Sequence, residues 1–305
     1  MKVLLCKTFT KMFKVIPVTV VWLISGAFGL LFAYIYNNLS ESILTYARFS
    51  NNIMNIYSLM AFMIIVGIMI WIICSNSSTG LFAQEIHEGT IRLLLSKEIT
   101  RMHLVAGKIS GMILGSVVYL ITSFSVFILV FCLFSGVEKD ILLLIIKATL
   151  VFIVYGMVVI FIIGGLGTFL STIFKKKVPA VLIMVALAGL IFGIIPIVRV
   201  ILTQLGYYNQ FNLYIFDLNY HFGLIFNNFL GSIGDLSLSQ STNAIFTIFT
   251  NLYISEAVDI DVALANVCYY DINTSLNGLL VTFSYIIGAA VLYGVSFKTM
   301  LKKDI

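Results

Sequence analysis

Six apolar stretches divide this sequence, at roughly 15–36, 54–74, 109–134, 144–173, 178–204 and 277–297. A helix needs about 20 apolar residues to cross a hydrocarbon core, where no water can satisfy an unpaired backbone N–H or C=O. Each stretch reaches that length. The expected fold class is therefore an all-α polytopic membrane protein with six transmembrane helices. Composition agrees: 61% of the 305 residues are hydrophobic and 10% charged, with a mean hydropathy of +1.09. A soluble globule of this length would need far more polar surface. The first stretch does not read as a cleavable signal peptide. It is too long, lacks a small-residue cleavage site and is followed by further spans.

Lys and Arg in short loops mark the cytoplasmic side. Fourteen of the 18 basic residues fall in four segments expected on one side. These are Lys2, Lys7, Lys11 and Lys14; Arg92, Lys97, Arg101 and Lys108; Lys175, Lys176 and Lys177; and Lys298, Lys302 and Lys303. Both termini are thus expected in the cytoplasm. The net charge of +5 is a topology signal, and the absence of a basic stripe interleaved with aromatics points away from a nucleic-acid partner. Cys6, Cys74, Cys132 and Cys268 show no CxxC spacing, so no disulfide framework is expected.

Three parts follow. Residues 1–204 comprise an amphipathic N-terminal helix and spans one to five, with a charged cytoplasmic loop at 75–108. Residues 205–276 form an extracytoplasmic helical segment between the fifth and sixth spans. Residues 277–305 form the sixth span and a basic cytoplasmic tail. In the N-terminal arm, Lys7, Lys11 and Lys14 share one helical face and Leu5, Phe9, Met12, Phe13 and Ile16 the other. Such a helix suits the inner interface, its basic face toward anionic lipid; a plain basic flank fits equally. The 205–276 segment has no Lys or Arg but contains Asp217, Asp235, Glu256, Asp259, Asp261 and Asp271. Phe211, Tyr214, Ile215, Leu218, Phe222, Ile225, Phe226 and Phe229 suggest one helical apolar stripe, and Ile245, Ile248, Phe249 and Leu252 a second. A small packing domain is the plain alternative.

No Asp, Glu or His occupies the middle of a span. Proton relays and intramembrane catalysis place ionisable groups at that depth, so an energy source outside the membrane part is expected. Lys147 and Arg199 sit near outer ends, where long side chains can snorkel. Gly193 with Pro196 predicts a kink in the fifth span.

Gly107-Lys108-Ile-Ser110 resembles the end of a phosphate-binding loop but lacks Ser or Thr after the Lys and a Gly at position 102. ATP binding by that route is excluded. His87 and His103 with Glu85 and Glu88 do not take HExxH spacing, so no metal site is expected. The loop is better read mechanically. Phe82, Glu85, Ile86, Gly89, Arg92 and Leu93 suit a short helix with one apolar and one charged side. Ser96 and Thr100 can cap the helix that leads into the third span. Leu93, Leu94 and Leu95 could fill a groove on a soluble partner while charges set register. A charged connector is the bland alternative.

Glu85 with Gly89-Thr90, then Leu93-Leu94-Leu95-Ser96, Thr100-Arg101, Leu104 and Gly107-Lys108 resemble the signature of the membrane subunits of type-2 ABC exporters. Glu98 stands where that family commonly has Pro. The six-span layout and basic arm extend the resemblance along the whole chain. What it implies is a permease half in a bacterial cell membrane, paired with a second copy or homologue and moved by a cytosolic ATP-binding subunit. No cofactor is then expected in this chain; ATP and Mg belong to the partner, so the chain is a transporter subunit and not an enzyme. The residues implied in coupling are Phe82, Glu85, Glu88, Gly89, Thr90, Arg92, Leu93, Leu94, Leu95 and Arg101. The expected cargo is a hydrophobic or amphipathic substrate such as an antimicrobial peptide, bacteriocin or drug. A polysaccharide or lipid exporter permease, or a non-transporting membrane sensor or anchor, are the alternatives. An intramembrane enzyme would need a polar catalytic pair at depth, which the spans lack.

Overall fold

The computed structural model describes residues 2–40, 46–91, 100–232 and 276–302. Among these residues it is helical, with no strand. Six helices are long and apolar enough to cross a membrane: Val15–Leu39, Asn52–His87, Arg101–Ser135, Lys139–Ile173, Lys177–Thr203 and Gly278–Lys302. Each overlaps one apolar stretch, so the multi-pass all-α architecture read from hydropathy holds. The second helix runs past residue 74 to His87, which carries a membrane helix directly into the charged loop.

In chain order the helices are α1 (Lys2–Met12), α2 (Val15–Ser40), α3 (Tyr46–Met60), α4 (Trp71–Thr79), α5 (Ala83–His87), α6 (Arg101–Ser135), α7 (Lys139–Ile173), α8 (Lys177–Gly189), α9 (Ile195–Gln204), α10 (Tyr207–Gln210), α11 (Leu218–Gly231) and α12 (Gly278–Lys302). A π-helical stretch, Ala61–Ile70, joins α3 to α4, and a second, Leu190–Ile194, joins α8 to α9. Two compact units are present: Met1–Ser42, Met60–Met184 and Tyr285–Ile305 form the first, Ile43–Leu59 and Val185–Ser284 the second.

In the first unit, α2 lies along α6. A Cβ at Gly29 would sit 2.7 Å from the Phe127 carbonyl oxygen, so only glycine permits that approach. Beyond it Phe32 packs between Phe127 and Phe131, with centroids 5.6 and 4.7 Å away. α6 ends at Gly136, whose φ of 55° is the left-handed conformation that closes helices. Glu138 is extended at the start of α7, so the connection between the two helices is tight. The glycines of α7 serve packing. A Cβ at Gly164 would strike the Tyr293 hydroxyl and at Gly167 the Ser78 side chain of α4, while at Gly165 it would come within 3.1 Å of the Ala289 carbonyl oxygen of α12.

The two π-helical stretches are tertiary features. In the first, a Cβ at Gly67 would lie 2.7 Å from the Phe62 carbonyl oxygen. Glycine therefore tolerates the widened turn, in which each N–H reaches back five residues rather than four. The second stands immediately before Ile195 and Pro196. Proline has no N–H and its ring clashes with the carbonyl four residues back. The irregularity expected at Gly193 and Pro196 takes the form of this change of helical register.

The second unit differs from two sequence expectations. First, the apolar run from Phe211 to Phe229 is not one helix. Asn212 has φ 50°, and the chain passes through a 3-10 turn, Leu213–Ile215, before α11. Asp217 starts α11 by accepting the Tyr220 N–H at 2.8 Å, as an N-cap carboxylate does. Tyr214, Phe222, Ile225 and Phe226 are buried, whereas Phe211, Ile215 and Phe216 are 50–78% exposed. Second, Arg199 does not snorkel. Its guanidinium pairs with the Asp217 carboxylate at 2.8 Å, the two side chains only 4% and 3% exposed, and it donates to the Asn219 side chain. The same Asp217 oxygen, Oδ2, also accepts the Tyr208 hydroxyl at 2.8 Å. Burial and the Asp217 charge hold that hydroxyl well above the usual tyrosine range. The pair forms because the 206–217 turns return Asp217 to α9, which no periodicity reveals. The expected second stripe at 245–252 lies outside the described residues.

Candidate coupling site

The charged loop begins where α4 ends. Gly80 and Leu81 turn the chain, and α5 starts with the N–H groups of Phe82 and Ala83 both donating to Ser171 Oγ of α7, at 2.8 and 3.0 Å. A hydroxyl borrowed from another helix thus satisfies the orphan donors that every helix N-terminus presents. The Phe82 side chain is completely buried. Above its ring, 5.4 Å from the centroid, stands Lys108 Nζ of α6. Lys108 is 3% exposed; it donates to the Leu81 carbonyl at 3.2 Å and forms an ion pair with Glu85. Charge, cation–π attraction and hydrogen bonds converge on that one ammonium, which lets it remain buried.

α5 is short because Gly89 ends it. The Glu88 N–H reaches the Gln84 carbonyl at 3.0 Å and the Gly89 N–H reaches Ile86 at 3.3 Å. Gly89 itself takes φ 70°, with nothing within 4 Å of where a Cβ would be. The constraint there is conformational and not steric, since left-handed backbone costs an ordinary residue about 1–2 kcal/mol. Thr90 Oγ1 closes the turn on the Glu85 carbonyl at 3.4 Å. The single helix expected over 82–93 is therefore broken at Gly89. Thr100 then caps α6, its hydroxyl accepting the His103 N–H at 3.3 Å, as expected.

Of the ten residues implied in coupling, Phe82 and Glu85 face inward as anchors. Glu88 is exposed and accepts from Gln84 at 2.8 Å. Gly89 and Thr90 form the turn. Arg101 donates to the Leu301 carbonyl of α12 at 3.1 Å, linking the loop to the last helix. Arg92, Leu93, Leu94 and Leu95 lie outside the described residues, as does Ser96. His87 is exposed while Glu85 is committed to Lys108. In the sequence Lys108 stands out as a topology charge and as part of Gly107-Lys108, and nothing there marks it as the counter-ion of Glu85. For Ser171 it offers no signal, because a serine in a glycine-rich apolar helix looks like any other small residue.

The basic segments singled out in the sequence gather at one end of the first unit. Lys108 meets Leu81 and Glu85, Lys177 donates to the Asn76 side chain, and Arg101 reaches the end of α12. α1 joins them along α6, where Tyr119 donates to the Met12 carbonyl at 2.7 Å.

Comparison with curated proteins finds no match. A family model described as "ABC-2 family transporter protein" matches residues 72–300, well over half of the 305-residue chain. The match begins within α4 and ends in α12, so it takes in the α5 elbow, Ser171 and Lys108 alike. Membership implies in general an ATP-binding subunit as partner. With this match and six helices long and apolar enough to cross a membrane among the described residues, the chain belongs to the ABC-2 family of transporter proteins, as a multi-pass permease subunit.

Proposed function

We propose that this chain is the permease of an ABC exporter, moved by a separate ATP-binding subunit that docks on the elbow running from α5 toward Arg101. One observation carries the reading. α5 is fastened at its N-terminus to α7 through Ser171 and along its side to α6 through the Glu85–Lys108 pair, while His87 and Glu88 at its far end stay exposed. A push on the exposed end is thereby delivered to two membrane helices at once. ATP and Mg belong to the partner subunit in this reading, and a second permease copy or homologue completes the pathway. The face bearing the elbow and both termini is cytoplasmic, in keeping with the distribution of Lys and Arg.

The cargo is a hydrophobic or amphipathic molecule such as an antimicrobial peptide, moved outward across a bacterial cell membrane. Support comes from Phe211, Ile215 and Phe216, exposed apolar groups within the 205–276 segment, which has six acids and no Lys or Arg.

The test is ATP-driven transport in vesicles holding this chain and its ATP-binding subunit. Gly89→Pro cannot adopt the required φ and should lower transport at least roughly tenfold, a barrier change of about 1.4 kcal/mol. Gly89→Asn, which tolerates left-handed backbone, should retain most of it. Wild-type transport by Gly89→Pro would sink the lever.

A further inference from the structure

In the first unit, a cavity of about 540 Å³ opens between α1, the start of α2, α4 and α6. That size falls within the range of about 300–1,000 Å³ usual for small-molecule sites. Five lysines line it: Lys7, Lys11, Lys14, Lys108 and Lys177. They come from the N-terminal arm, from α6 and from α8. The single carboxylate in the lining is Glu85, and it is committed to Lys108. Lys177 is held by the Asn76 side chain. Lys7, Lys11 and Lys14 have no carboxylate partner among the described residues. Lys11 is near enough to repel the charges of both Lys108 and Lys177, and Lys7 that of Lys108. Like charges crowded around a partly enclosed space call for an anion between them.

The walls say which kind. Its lining also includes an apolar border, Ile16 and Val20 of α2 and Ile72 of α4, which are 77%, 48% and 64% exposed. These residues lie on helices long and apolar enough to cross a membrane, so their exposed faces meet hydrocarbon. A wholly hydrophilic anion would leave that apolar border uncovered. An amphipathic anion covers it and meets the lysines as well. We propose that this cavity binds the phosphate headgroup of an anionic membrane lipid, with the lysines around the phosphate and the acyl chains leaving past Ile16, Val20 and Ile72. The site needs no ATP-binding subunit and stands independently of the coupling reading. Because α1 and Glu85 of the elbow both border it, an occupied site would tie the N-terminal arm to the elbow.

The experiment uses the purified full chain in neutral detergent. Native mass spectrometry reads retained lipid, and thermal unfolding reads protection, with phosphatidylglycerol, phosphatidylcholine or inorganic phosphate added. Phosphatidylglycerol should be retained preferentially and should raise the unfolding midpoint; phosphatidylcholine and phosphate should not. Lys7→Gln with Lys11→Gln, both exposed, should weaken phosphatidylglycerol retention roughly tenfold or more. Lys298→Gln with Lys302→Gln removes equal charge from α12, outside the cavity, and should leave retention within about twofold. Equal protection by inorganic phosphate would make this a free-anion site and overturn the lipid assignment. Equal losses in the two double variants would reduce the effect to general surface attraction, and no loss in the first would leave the cavity without a ligand. Either result defeats the proposal.

Discussion

Two buried ion pairs separate what a residue contributes by its type from what it contributes by its neighbours. Glu85–Lys108 in the first unit and Arg199–Asp217 in the second each remove opposite charges from water. Such pairs often add little net stability over apolar replacements, yet removing one member leaves an uncompensated charge at a cost of about 3–5 kcal/mol. Asp217→Asn should accordingly lower the thermal unfolding midpoint in detergent more than Glu85→Gln. The Arg199 pair is almost fully enclosed, whereas the Glu85 side chain keeps 13% exposure and can take up water. Glu85→Gln combined with Lys108→Met should recover most of the Glu85→Gln loss, since no stranded ammonium remains. An additive double variant would show that the pair is not coupled. Gly89, Thr90 and Thr100 were readable in sequence because their roles are local, a left-handed turn and two hydroxyl contacts within five residues. Lys108 and Ser171 were not, because their partners lie 23 and 89 residues away.

Among the elements, α1 shows how an amphipathic pattern acquires a partner. Its apolar residues were expected at the bilayer interface, but they also lie on α6 at Gly111 and Gly115. A Cβ at Gly111 would come 2.8 Å from the Leu5 carbonyl oxygen and 2.9 Å from Thr8 Cβ. Phe13 stacks on Tyr119 with centroids 4.6 Å apart. The helix stops at Met12, so Phe13 follows it and Ile16, counted on the same face, belongs to α2 and is 77% exposed. Gly111→Val should lift α1 and speed tryptic cleavage after Lys7 and Lys11 in the detergent-solubilised protein. Unchanged cleavage would mean that α1 is not held by that glycine. The π-helical stretches teach the complementary point. Ala61–Ile70 is apolar at every position and carries no local break, so the wider register is visible only once the backbone is seen.

For the whole molecule, the topology we propose has six crossings, which put both ends on one face together with the connections after the second and fourth spans. Impermeant maleimide should therefore modify native Cys6, an engineered Glu88→Cys and an engineered Lys176→Cys from the same side of sealed vesicles, each introduced in a background lacking the other cysteines. Labelling of Glu88→Cys from the opposite side to Cys6 would overturn the topology and the coupling reading with it. Number, order and approximate ends of the spans were determined by sequence alone, because burying backbone in hydrocarbon demands long uninterrupted apolar helices and that demand is written residue by residue. The family signature was legible for the same reason: Glu85, Gly89 and Thr90 make a local turn. What only the tertiary structure decided is which helices touch, that Lys108 neutralises Glu85, that Arg199 finds Asp217, and that five lysines from distant segments surround one cavity. Those outcomes depend on distances between segments far apart in the chain, and hydropathy along one strand of residues carries no information about them.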